Sequence, residues 1–197
     1  NGAYKTYIDN YLRIENKTSG GNLYWVITST DGTKYTFGLK STSALQSNAS
    51  NYTLKWFLDS IEDTHSNTVN YSYAKNPYTG DIGAVYLSNI IYNKDQLRKI
   101  TFRYENTTRP DKRLVYEQGS KFLETRRLVG VDAYFNNALV RRYDFTYNNL
   151  NTEKTMSALS NITHIGADNS SVLHRISFEY YNAQPGFENS SKWLVPE

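Results

Sequence analysis

The chain has 197 residues, with 22 Lys+Arg against 19 Asp+Glu and a formal net charge of +3. It has no Cys, which excludes a disulfide scaffold, thiolate metal sites and a cysteine nucleophile. Near-balanced charge gives little long-range field, which argues against nucleic acid as a main partner, and no apolar run is long enough to span a membrane.

The sequence opens on Asn1-Gly2, with no Met start and no signal peptide, and reads as a piece of a longer protein. Its 18 Tyr, 8 Phe and 3 Trp favour strands, and its Asn, Ser, Asp and Gly favour turns. The expected fold is all-β, with antiparallel hairpins stacked into a twisted, curved sheet and little or no helix.

In chain order, residues 1–50 hold the N-terminal strands and a first hairpin. Leu23–Ile27, which includes Trp25, and Tyr35–Phe37 flank Thr30-Asp31-Gly32, and Asp-Gly between alternating segments is a hairpin cue. Residues 51–184 hold four units of one module. Each opens on two apolar residues three apart: Leu58 and Ile61 (after Trp56), Leu87 and Ile90, Leu128 and Val131, Leu159 and Ile162. Each closes on an alternating apolar-x-aromatic-x-Tyr strand: Val69, Tyr71 and Tyr73; Ile100, Phe102 and Tyr104; Tyr143, Phe145 and Tyr147; Ile176, Phe178 and Tyr180. Period two puts these side chains on one face. A spacing of three fits that face only if a bulge lies between the two residues. All these residues are taken as the structural core of the repeats.

Turn-rich stretches join the halves of each unit: Asp63–Asn67, Asn93–Gln96, Asn136-Asn137 and Gly166–Ser170. Asn106–Gly119, with Arg109-Pro110-Asp111, reads as a surface loop or an extra strand, and residues 185–197 read as an exit linker. Isolated hairpins are marginal in water, so stacking is required, and the apolar face needs a cover.

Signals for chemistry are sparse. His65, His164 and His174 share no metal-ligand spacing and read as turn or strand-end residues. Asp59, Glu62 and Asp63 with Asn67 lack the Asp-x-Asp-x-Asp-Gly pattern of a calcium loop and read as a turn. Arg126-Arg127 and Arg141-Arg142 flank one hairpin and read as a solvated sheet face. Asn-x-Ser/Thr sites fall at Asn16, Asn48, Asn51, Asn70, Asn106, Asn161, Asn169 and Asn189, a hint of surface loops. No phosphate loop, nucleophile elbow or Glu-x-Glu occurs. No catalytic residue, cofactor or metal is assigned.

Trp25 with Asp31-Gly32, Tyr35 and Phe37-Gly38 resembles the opening of the SpvB-type domain of toxin-complex B components. Trp56–Asp63, Asn67 and Val69–Tyr73 continue the resemblance, with Ser66 where that family has Gly. So do Arg98–Glu105, Arg109-Pro110-Asp111, Arg126-Arg127-Leu128, Arg142-Tyr143 and Ser157-Ala158-Leu159. The similarity covers roughly residues 20 to 181. It implies the wider Rhs/YD-repeat group, whose hairpin strips build a hollow shell around a toxin. On that resemblance the chain is a non-catalytic structural module of a secreted or cell-surface protein. Its partners are then neighbouring repeats and domains of the same longer chain, and a toxin payload or partner toxin subunit. The alternative is a carbohydrate- or protein-binding module of a bacterial adhesin, using exposed aromatics such as Tyr78 and Tyr134.

Overall fold

The structure is a computed structural model that describes residues 3–8, 10–47, 52–149 and 156–180. The expected exit linker and Asn48, Asn51 and Asn189 lie outside the described residues. Strands account for nearly all the regular structure. They are β1 (Ala3–Tyr4), β2 (Arg13–Ser19), β3 (Asn22–Thr28), β4 (Lys34–Phe37), β5 (Ala44–Gln46), β6 (Thr53–Trp56), β7 (Leu58–Glu62) and β8 (Thr68–Lys75). The second half adds β9 (Val85–Tyr92), β10 (Arg98–Tyr104), β11 (Arg113–Glu117), β12 (Ser120–Glu124), β13 (Leu128–Phe135), β14 (Ala138–Asn149), β15 (Ser157–Ile165) and β16 (Val172–Ser177). One 3-10 turn spans Ser41–Ser43.

Twelve strands form one open antiparallel sheet in the order β1-β2-β3-β4-β7-β8-β9-β10-β13-β14-β15-β16. The remaining four form two separate hairpins, β5–β6 and β11–β12. Neighbours in sequence are therefore neighbours in space, which is what tight turns between alternating strands produce. Asn136 and Asn137, at φ 48° and 63°, make the two-residue turn between β13 and β14. Ser66 adopts φ 63° in the β7–β8 turn, the left-handed region where glycine costs least.

The expected bulges are present in all four units. Phe37 pairs with Leu58 and Thr36 with Ser60, so Asp59 is skipped. Ser88 is skipped between Leu87 and Asn89, Val129 between Leu128 and Gly130, and Ser160 between Leu159 and Asn161. Each bulge turns the strand by one residue and so returns Ile61, Ile90, Val131 or Ile162 to the face of its Leu. Cross-strand rows then run over that face, as in Tyr71–Ile90–Ile100 and Phe102–Val131–Tyr143.

The long interval is more than a loop. It contributes β11–β12, which lies beside β5–β6 on the sheet. Ser47 Oγ and Ser120 Oγ are 2.8 Å apart, and Lys55 Nζ donates to Glu117 at 2.8 Å. Ile82 and Leu123 form a bridge between β11–β12 and the chain ahead of β9. Under these two hairpins lies most of the fully buried apolar set: Ala44, Leu45, Ala84, Tyr86 and Phe122. A cavity of about 120 Å³ remains there, floored by Leu45, Phe57, Val85 and Phe122.

The core differs from the expected one. Trp25, Trp56, Leu58, Ile61, Val69, Tyr71, Tyr73, Leu87, Ile90, Ile100, Phe102 and Tyr104 are half-buried. So are Leu128, Val131, Tyr143, Phe145, Tyr147, Leu159 and Ile162. Ile176, Phe178 and Tyr180 are exposed, at 45%, 38% and 47%. A single sheet layer cannot bury its own face, and most of what is sealed lies beneath a covering hairpin. β16 is an edge strand with no outer neighbour among the described residues. Asn16, Asn70 and Asn161 sit in strands rather than loops.

Candidate functional site: the tyrosine and bulge margin

The repeated feature with the sharpest geometry lies at one end of the hairpins. The last Tyr of each unit donates its hydroxyl to the carbonyl of the Leu that opens the same unit. Tyr73 reaches Leu58 O at 2.8 Å and Tyr104 reaches Leu87 O at 3.0 Å. Tyr147 reaches Leu128 O at 2.6 Å and Tyr180 reaches Leu159 O at 2.9 Å. The sequence separations are 15, 17, 19 and 21 residues. A bulge disrupts the ladder beside its Leu, and the phenol satisfies the carbonyl left there.

The Tyr has a second role. Tyr73, Tyr104 and Tyr147 each pair with the Leu that opens the next unit, Leu87, Leu128 and Leu159. One side chain therefore ties its own hairpin shut and sets the register of the following hairpin. Burial pushes the phenols of Tyr73 and Tyr104 up to about 12, helped at Tyr73 by the Asp59 charge. Burial also raises Tyr147. The hydroxyls stay neutral donors at ordinary pH.

Polar side chains at the bulges complete the margin. Asp59 is 2% exposed; it accepts from Leu39 N at 2.5 Å and Ser43 Oγ at 2.7 Å, and Lys40 Nζ lies 3.9 Å away. Ser88 Oγ donates to Ser72 O at 2.9 Å, and Ser160 Oγ lies 3.0 Å from Thr146 Oγ1.

A second buried polar group sits further along the strands. Asp132, 1% exposed, accepts from Arg103 Nε at 3.0 Å and from Arg142 Nε and Nη2 at 2.9 Å each. Arg103 also pairs with Asp144. Burial raises the Asp132 carboxyl, but the Arg142 hydrogen bonds and the Arg103 charge outweigh it and hold the group below its ordinary range. Gly130 lets Arg103 lie flat, since a Cβ there would stand 2.1 Å from the guanidinium. This network fastens three strands. The sequence does not single it out, because only Asp132 and Arg142 stand directly opposite each other, while Arg103 stands opposite Gly130 and reaches Asp132 diagonally.

The four arginines do not form the expected solvated patch. Arg126 is 9% exposed, lies 4.8 Å over the Tyr78 ring and leaves its buried Nε without a hydrogen-bond partner. Arg127 is held by Glu105 at 2.8 Å and lies 4.8 Å over Tyr147. Arg142 belongs to the Asp132 network; Arg141 alone is exposed, 3.3 Å from His164 Nε2. Tyr78 and Tyr134, named as exposed aromatics, are half-buried, and Lys99 covers Tyr134 at 5.0 Å.

The candidate cation ligands are dispersed. Asp63 accepts from His65 N and Asn67 N at 2.8 Å each and from Asn67 Nδ2 at 2.7 Å. Those Asn67 hydrogen bonds lower its carboxyl pKa. Asp59 lies at the opposite end of β7. Among the described residues no group of three or more His, Asp or Glu is placed to hold a metal ion. His164 stacks on Tyr143 at 4.8 Å and pairs across strands with His174. Among the described residues no helix is long and apolar enough to cross a membrane.

Comparison with known proteins places this geometry. The family model described as Salmonella virulence plasmid 65kDa B protein matches residues 3–122. No curated protein matches the sequence. The fold is similar to the N-terminal domain of effector protein SpvB from Salmonella typhimurium strain LT2. There the TM-score is 0.68 at 16% identity, over 83% of this chain and 68% of that one. It is also similar to a chain of the Photorhabdus luminescens Tc holotoxin pore, with TM-score 0.74 at 18% identity over 90% of this chain. A TcdB2-TccC3 structure gives 0.71 at 17% identity over 87%. This chain spans only 11% of each of those two toxin chains. The fold of this hairpin-by-hairpin sheet is thus shared with those structures, and the protein belongs to the SpvB family.

Proposed function

We propose that these residues are a non-catalytic wall module of a longer toxin-complex-like protein, exported to the cell surface or beyond. Residues 51–184 supply four hairpin repeats to a shell that encloses a toxin or effector, residues 1–50 lead into them, and residues 185–197 lead out. The neighbours are further repeats and domains of the same chain, with a payload or partner toxin subunit inside. The observation that carries this reading is the repeated Tyr-to-Leu contact. It closes each hairpin, and pairing of the same Tyr with the next unit's Leu joins the hairpins into a strip that leaves one face half-covered, which suits a wall whose cover comes from elsewhere. The bulged pairs that share this contact hold structure, and the polar side chains of Asp59, Ser88 and Ser160 bond to neighbouring backbone and side-chain groups of the strip.

Cryo-electron microscopy of the longer polypeptide tests the reading. The expected result is a hollow shell with this strip in its wall. A compact separate domain whose ring-bearing face is sealed within the strip itself would overturn it.

A further inference from the structure

The described sheet ends at β16, and that edge carries a pattern seen three times inside the sheet. In each interior case the terminal Tyr pairs with a Leu of the next strand: Tyr73 with Leu87, Tyr104 with Leu128, Tyr147 with Leu159. The aromatic two residues before it pairs with the β-branched residue three beyond that Leu: Tyr71 with Ile90, Phe102 with Val131, Phe145 with Ile162.

Tyr180 already makes its inward contact, and Phe178 N donates to Ser160 O at 2.9 Å, so the segment is seated. Its outward half is unmet. Ile176, Phe178 and Tyr180 stay 45%, 38% and 47% exposed. Edge strands are commonly blunted by proline, yet residues 172–180 contain none.

We propose that this edge receives one more antiparallel strand, of sequence Leu-x-x-Ile or Leu-x-x-Val, from outside these 197 residues. Its Leu stands opposite Tyr180, the next residue is bulged, and its Ile or Val stands opposite Phe178. Main-chain bonds supply the affinity and the two apolar positions set the register. The proposal rests on the wall reading and gives the sequence rule for the neighbour. Residues 181–197 contain no Leu-x-x-Ile or Leu-x-x-Val. A folded second copy offers none at a free edge of this form, because β3, β7, β9, β10, β13 and β15 are paired on both sides. β16 has Leu173 and Ile176, but there the skipped residue is Leu173 itself rather than the one after it.

The probe is a synthetic peptide with the sequence of Ser157–Ile165, added to the 197-residue chain, with amide hydrogen exchange read by mass spectrometry. At saturation, exchange over Val172–Ser177 slows at least about tenfold, and Tyr180→Ala weakens the effect while circular dichroism stays unchanged. No slowing, or equal slowing by a peptide with Leu and Ile replaced by Asp, overturns the proposal. So does slow exchange of β16 without peptide: if it depends on protein concentration the occupant is a second copy, and if not it is residues 181–197. Peptide binding without a shell in micrographs fails the wall reading alone; a shell with no peptide response fails the edge proposal alone.

Discussion

Removing one oxygen from Tyr104 leaves the ring in place and orphans the Leu87 carbonyl. Tyr104→Phe is expected to cost about 1–3 kcal/mol, because a half-buried acceptor loses its donor; urea unfolding measures it. The same phenols set an alkaline limit. Burial raises Tyr73 and Tyr104 from 10.0 to about 12, so the stability they contribute is whole below pH 10 and is lost as pH rises through about 12. Phenolate absorbance and ellipticity, followed together, should change in that window. At the β7–β8 turn the sign is opposite, since the native residue is the strained one. Ser66 holds φ 63°, which costs an L-residue about 1–2 kcal/mol. Glycine removes that strain and adds unfolded-chain entropy, so Ser66→Gly should raise the urea midpoint, for a net gain of about 0.5–1 kcal/mol.

Hairpins depend on their covers as much as on their ladders. Phe122, 8% exposed, is the main apolar side chain that β11–β12 lays on the sheet. Phe122→Ala should cost about 3–5 kcal/mol, read as a lower thermal midpoint. The sequence made the bulges legible because a spacing of three cannot share a face with strict alternation, and Leu58–Ile61 and its three counterparts resolve that conflict in one way. It hid the covers. Ala44-Leu45-Gln46 is a three-residue strand, and Arg113–Glu117 alternates too weakly to separate from a loop. The arginines were misplaced for a related reason: Arg126 and Arg127 are drawn in by Tyr78, Tyr147 and Glu105, which lie far off in sequence. The tyrosine contact was half visible. Both partners stood out in every unit, but a hydroxyl-to-carbonyl bond leaves no periodic trace.

Across the whole molecule, order should follow distance from the two free edges. β8, β9 and β10 have partners on both sides and lie near the covering hairpins, whereas β1 and β16 are terminal. Native-state hydrogen exchange should be slowest in β8–β10 and fastest in β1 and β16. Uniform exchange would mean that the sheet opens as one unit. The lengths of the units carry a further consequence. From Leu to Tyr the separations are 15, 17, 19 and 21, while every Tyr still meets its bulge. Over the first three units the Leu-side strand lengthens, from 58–62 through 87–92 to 128–135, by about 3.3 Å per added residue, whereas in the fourth it runs 159–165 and the extra residues fall in the turn, 166–171. One margin stays level and the other flares. Between β7 and β14 the described strip is therefore a tapered stave, widening along one margin only.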